Sequence, residues 1–102
     1  MKMVRCAKEI VAVQNEFNVK RMRFGALEEV LPLVVQRIPQ GLVDDCQDDY
    51  VIRLEIHRGG YSLYANQKKK SLARRSFFVD ETGVLRESWG PGPATAKSVV
   101  AR

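Results

Sequence analysis

With 102 residues, 45% hydrophobic and 28% charged, the chain is sized for one domain with a modest core, and its composition excludes extensive disorder. A net charge of +5 permits attraction to nucleic acid, anionic lipid or acidic proteins without requiring any of them. No apolar run approaches the ~20 residues that span a bilayer, and no apolar stretch of signal-peptide length follows Met1-Lys2-Met3-Val4-Arg5, so a soluble polypeptide is expected.

The first predicted element is a helix over Met3 to Lys20. Met3, Val4, Cys6, Ala7, Ile10, Val11, Val13 and Phe17 fall on one half of its surface at about 100° per residue, interrupted by Gln14. Arg5, Lys8, Glu9, Asn15 and Glu16 take the other half. So wide an apolar arc fits a deeply embedded core helix, or one that packs on its own sheet and also on other subunits. Arg21 to Gly25 reads as a break. Ala26 to Leu31 predicts a short second helix with Leu27, Val30 and Leu31 inward, which Pro32 ends or kinks. Leu33 to Ile38 either continues that helix or runs extended, and Pro39 and Gly41 close it.

Val43 to Asp49 holds Asp44, Asp45, Asp48 and Asp49. The alternating acids, sixth-position glycine and distal glutamate of a calcium loop are absent, so a solvated acidic loop is expected, with a cation site, then a contact to basic groups of a neighbour, as the alternatives.

From Tyr50 the period changes to two. Tyr50, Ile52, Leu54 and Ile56 alternate with Val51, Arg53, Glu55 and His57, which predicts a strand with one buried face. Arg58-Gly59-Gly60 is a turn, and Tyr61 to Ala65 a second strand with Tyr61 and Leu63 inward. Asn66 to Ser71 is a lysine-rich loop. Leu72 to Val79 predicts a third strand, Asp80-Glu81-Thr82-Gly83 a type I turn closed by a left-handed glycine, and Val84 to Glu87 a fourth strand. Gly90-Pro91-Gly92-Pro93 stops regular structure. The expected architecture is α+β: a long N-terminal helix packed on a four-stranded antiparallel sheet, one domain over residues 1–93, and a loosely held tail over residues 94–102.

Cys6 and Cys46 lack metal-site spacing. Unpaired thiols, one of them buried, are the default reading. A disulfide is the alternative, since sequence alone cannot bring their Cα atoms within bonding range.

Motifs for chemistry are sparse. His57 is the only histidine and lies on the polar side of its strand. Cys6 sits on the apolar face of the first helix, where a thiol loses reactivity. Glu28 and Glu29 are adjacent on a helix and point apart. No catalytic serine elbow, phosphate-cradling glycine loop or zinc-protease helix occurs. No enzyme, cofactor, metal or small-molecule substrate is expected. The basic cluster Lys68, Lys69, Lys70, Arg74 and Arg75 reads either as a polyanion surface, with Tyr61 and Tyr64 adding stacking, or as a solvated loop that blocks strand pairing.

The stretch Arg75-Ser76-Phe77-Phe78-Val79-Asp80-Glu81-Thr82-Gly83-Val84-Leu85-Arg86, followed by Gly92-Pro93-Ala94-Thr95, resembles the closing hairpin and tail of type IV pilins and pilin-like proteins, pseudopilins included. Ala7 to Asn18 is more loosely similar to the solvent-side half of the pilin helix, Phe24 to Val30 to its connecting segment, and Gly60-Tyr61-Ser62-Leu63 to the start of its central strand. The family's apolar anchor helix has no counterpart here, and Lys68-Lys69-Lys70 departs from its usual loop.

The resemblance implies the head of a filament subunit, in a pilus or a secretion pseudopilus at the cell surface or in the periplasm. Its partners would be other pilin-like subunits, and it would need no cofactor. Val4, Ile10, Val11 and Phe17 are the expected packing residues, some meeting the domain's own sheet and some its neighbours. A DNA-capture role through Lys68 to Lys70, and an adaptor that binds a protein on the sheet edge, are the competing expectations.

Overall fold

Seven buried positions on the first helix, Met3, Cys6, Ala7, Ile10, Val13, Gln14 and Phe17, recur at three- and four-residue steps, so a single face of that helix carries the core. In the computed structural model, which describes residues 1–101, this is α1 (Lys2–Arg21). There follow α2 (Leu27–Val34), α3 (Gln40–Asp49), β1 (Tyr50–His57), β2 (Gly60–Gln67), β3 (Arg75–Asp80), β4 (Arg86–Trp89) and β5 (Val99–Val100). The strands form one antiparallel meander in the order β1-β2-β3-β4-β5. The α+β class and the helix-on-antiparallel-sheet arrangement are as expected; the sheet has five strands rather than four.

The face of α1 packs with Tyr61, Leu63, Ala65, Phe77 and Val79 of the sheet and with Val30 and Val34 of α2 in one core cluster. Each large apolar side chain withdrawn from water contributes about 1.5–3 kcal/mol. Gln14, the interruption in the apolar face, is fully buried and holds the connector between α1 and α2. Its Nε2 donates to the Gly25 carbonyl at 2.8 Å, and its Oε1 accepts the Gly25 N–H at 2.8 Å. A Cβ on Gly25 would press on Val30 at 2.9 Å and on the Phe17 ring at 3.2 Å, so the chain passes there only as glycine.

The next turn is closed by Arg23, which grips both Glu29 oxygens at 3.0 and 2.8 Å. Glu29 also accepts the Ala26 N–H at 3.0 Å; alanine offers no acceptor in return, so only half of a capping box forms. The Arg23 guanidinium, then the Ala26 N–H, hold the Glu29 carboxyl down at about 2. Helix α2 continues through Pro32 to Val34, so of the two alternatives for the stretch after the proline the helical one holds as far as Val34. Arg37 then straps back onto α1, reaching Glu9 at 2.8 Å and Glu16 at 2.9 Å.

The acidic loop expected over Val43 to Asp49 is instead the body of α3. Val43 and Cys46, three apart, are buried on one helical side, while Asp44, Asp48 and Asp49 face solvent. The default reading of the cysteines is also corrected. Cys6 of α1 and Cys46 of α3 are joined by a disulfide, with Cα atoms 7.0 Å apart.

Strands β1 and β2 pair along their whole length, from Tyr50 opposite Gln67 to His57 opposite Gly60. Gly59 turns the connection at φ 78°. The Asp80–Gly83 turn matches its expectation: Gly83 N–H donates to the Asp80 carbonyl at 2.9 Å, with Gly83 at φ 77°. Strand β3 starts at Arg75 rather than Leu72, and β4 at Arg86 rather than Val84. The tail is not loose. Ala94 is fully buried, Val99 and Val100 pair with Glu87 and Arg86, and Ala101 N–H donates to the Leu85 carbonyl at 2.8 Å.

Tyr61 stacks edge-on against Phe24, with ring centroids 4.9 Å apart. Its buried hydroxyl has no hydrogen-bond partner among the described residues. Burial first, then the Asp80 and Glu81 charges, push it up to about 12. A tyrosine whose proton is held more tightly when folded gives stability that is complete below its unfolded pKa near 10 and is lost as pH rises toward 12. Tyr61→Phe is therefore expected to leave neutral-pH stability unchanged or up to about 1 kcal/mol higher. It should also flatten the fall in melting temperature between about pH 10 and 12, as read by thermal melts across that range. A loss above about 1 kcal/mol at neutral pH would mean that the hydroxyl has a partner after all.

Candidate functional site

Two surfaces collect the residues that sequence reasoning singled out. The first runs along α1. Ile10 and Phe17 are buried inside the domain, so they pack on its own core. Val4 and Val11 are half-buried at the rim of that core, one side against the cluster and the other toward solvent. Val11 shares a narrow groove of about 100 Å³ with Ala7, Lys8, Val79, Gly83 and Leu85. Val84, Val99 and Val100, on the hairpin and edge strand that follow, are exposed. The apolar strip on this flank is that groove, where Ala7 and Val11 of α1 meet Val79, Gly83 and Leu85.

The second surface is a corner built where β2, β3 and β4 end. Gln67, buried at the end of β2, organises it. Its Nε2 donates to the Gly90 carbonyl at 2.6 Å, and its Oε1 accepts the Ser71 N–H at 3.0 Å. Gly90 N–H donates to the Arg74 carbonyl at 3.0 Å, and Lys68 N–H to the Asp49 carbonyl at 3.0 Å. The loop over residues 68–74 is thus tied to β4 on one side and to the end of α3 on the other.

Lys68, Lys69, Lys70 and Arg74 are exposed, and none forms an ion pair among the described residues. Arg75, grouped with them in sequence, plays a different part. It is paired with the largely buried Glu87 at 2.6 Å and lies over the rings of Phe77 and Trp89 at 5.1 and 5.4 Å. Its guanidinium is committed to the fold and is not a free cation.

The same corner holds apolar groups that the sequence reading left out. Leu72, expected to open a strand, is 83% exposed; Trp89 is 59% exposed and Met1 61%. A hollow of about 250 Å³ beside Met1 and Trp89 is lined also by Asp49, Tyr50, Ala73, Arg74 and Arg75, without Leu72. The tyrosines offered for base stacking are not available: Tyr61 is buried, and Tyr64 lies between Arg53, 4.4 Å above its ring, and Phe78 at 5.2 Å.

His57 stands apart from both surfaces. It is exposed, and its Nε2 lies 2.8 Å from Ser62 Oγ on the neighbouring strand. Among the described residues no acid is bonded to its other ring nitrogen, so the pair lacks the third group that would orient a base. The broad hollow beside it, about 570 Å³, is lined by side chains such as Asn15, Asn18, Met22 and Ile56. Among the described residues no three His, Cys, Asp or Glu side chains approach closely enough to hold a metal ion, and no helix is long and apolar enough to cross a membrane.

Comparison with protein-family models, with curated proteins and with solved structures finds no match to this chain.

Proposed function

We propose that this domain is the globular head of a type IV pilin-like filament subunit, and that it acts by packing against other subunits rather than by catalysis. The carrying observation is the groove along α1. The helix lies across an antiparallel meander, Val4 and Val11 are left only half covered, and Val11 opens onto a groove shared with Leu85. Apolar side chains concentrated along one flank are what helix-to-helix assembly requires, since their burial between copies supplies the association energy. The Cys6–Cys46 bridge supports the surface or periplasmic setting of that reading, because disulfides persist where the medium is oxidising.

The test is photo-crosslinking in cells. A photoreactive residue at position 11 is expected to give a ladder of homo-adducts in the sheared surface-filament fraction, whereas one at exposed Asn15, on the polar side of α1, gives far less. Val11→Lys is expected to leave the domain folded, since the site is half open, and to abolish filament incorporation. Unchanged incorporation of Val11→Lys, with no adducts from position 11, would sink the proposal.

A further inference from the structure

The corner at the ends of β2 and β4 combines charge with grease in a way that the filament reading does not use. Lys68, Lys69, Lys70 and Arg74 flank Leu72 along one exposed loop; Leu72 is 83% exposed, and Trp89, at the end of β4, is 59% exposed. A Cβ placed on Gly90 would lie 3.6 Å from Leu72 Cδ2, so Leu72 reaches the residue next to Trp89. Arg74 and Trp89 line the same hollow. Leu72 and the cations ride on one loop, which Gln67 holds in shape and Arg74 brings to Trp89.

We infer that this corner is a docking surface for an anionic lipid bilayer. Leu72 and Trp89 enter the interfacial zone and the lysines engage lipid phosphates. Tryptophan favours that zone because its ring is apolar and its N–H polar. Basic side chains close to an anionic leaflet add attraction that weakens with salt. An aliphatic side chain left in water beside four unpaired cations has an obvious use at a lipid surface and none in reading nucleic acid. A single-strand platform also needs several free aromatic faces. Here Tyr61 is buried, Tyr64 is sandwiched, and one face of Trp89 already carries Arg75. Asp49, which lines the hollow, is the one acid facing the site from α3; it is outweighed by the four cations.

Trp89 is the chain's only tryptophan and so reports directly. The chain is titrated, at moderate salt, with vesicles of equimolar phosphatidylglycerol and phosphatidylcholine, with pure phosphatidylcholine vesicles, and with a single-stranded oligothymidylate. The expected result is a shift of Trp89 emission to shorter wavelength with the anionic vesicles and none with phosphatidylcholine. Replacing Lys68, Lys69 and Lys70 together by glutamine is expected to weaken vesicle binding about a hundredfold. Leu72→Asn is expected to weaken it about tenfold. The inference is overturned by any of three results: no shift with anionic vesicles, an equal shift with phosphatidylcholine, or tighter binding of the oligonucleotide than of the vesicles at the same salt. None of these bears on whether position 11 crosslinks in filaments, so the two proposals fail separately.

Discussion

Reducing the Cys6–Cys46 bridge is expected to remove about 4 kcal/mol from the free energy of unfolding. The cross-link spans a separation of 40 residues, and the chain-entropy cost of closing a loop that long in the unfolded state is what the bridge removes. Against the roughly 5–15 kcal/mol that separates folded from unfolded states in a domain of this size, the loss is large. It should fall first on α3. That helix buries only Val43 and Cys46, and the Lys2–Asp45 pair that also joins it to α1, at 2.7 Å, is exposed and contributes little. Denaturant unfolding with and without reductant measures the total, and amide exchange over residues 40–49 the local part. The double variant Cys6→Ala/Cys46→Ala should reproduce the reduced protein. A difference under about 1 kcal/mol would show that α3 is held without the bridge.

Gln14→Leu is expected to cost about 2–4 kcal/mol, although it replaces a polar side chain in the core by an apolar one of similar size. Gln14 satisfies both the N–H and the carbonyl of Gly25, each at 2.8 Å, and both groups are buried. Leucine would strand the two together. Gly25 has little room to turn elsewhere, since Phe17 and Val30 already close on its Cα. The variant should unfold at lower denaturant with an unchanged slope, while Asn15→Ala, one residue along on the exposed side, should stay within about 0.5 kcal/mol of the parent. A neutral or stabilised Gln14→Leu would mean that water reaches the connector.

Much of the fold was legible because its periods are clean. The three- and four-residue recurrence from Met3 to Phe17 defines α1, and the alternation from Tyr50 with glycines at 59 and 83 defines the first hairpins. Helix α3 was hidden because four aspartates drown the spacing of Val43 and Cys46, and because half of the evidence for it is a covalent bond to α1. Gln14 looked like an imperfection, since a glutamine inside an apolar face has a reason only when its backbone partner 11 residues later is known. The last strand was missed because two exposed valines after a Gly-Pro run carry no amphipathic signal.

The candidate surfaces divide in the same way. The cationic loop stands out in sequence because its charges are adjacent. Its apolar half does not, because Met1 and Trp89 are distant in sequence and Leu72 comes near Gly90 only where β4 ends and β3 begins. Arg75 looked like one more cation; only its cross-strand position opposite Trp89 and its pairing with Glu87 show that it belongs to the fold.

The position of the cross-link on α1 has a mechanical consequence. Tension applied along the helix from its first turn meets a covalent junction at Cys6 before most of the helical hydrogen bonds are loaded. From Cys46 the force passes through the last turn of α3 into Tyr50, the first residue of β1, which is paired with Gln67 at the end of β2. The remainder of α1, from Ala7 onward, lies inside the covalent loop and cannot be drawn out by such a pull while the sulfurs stay joined. A load borne at the first turn of this helix is thus held to the rest of the domain by a rivet as well as by packing.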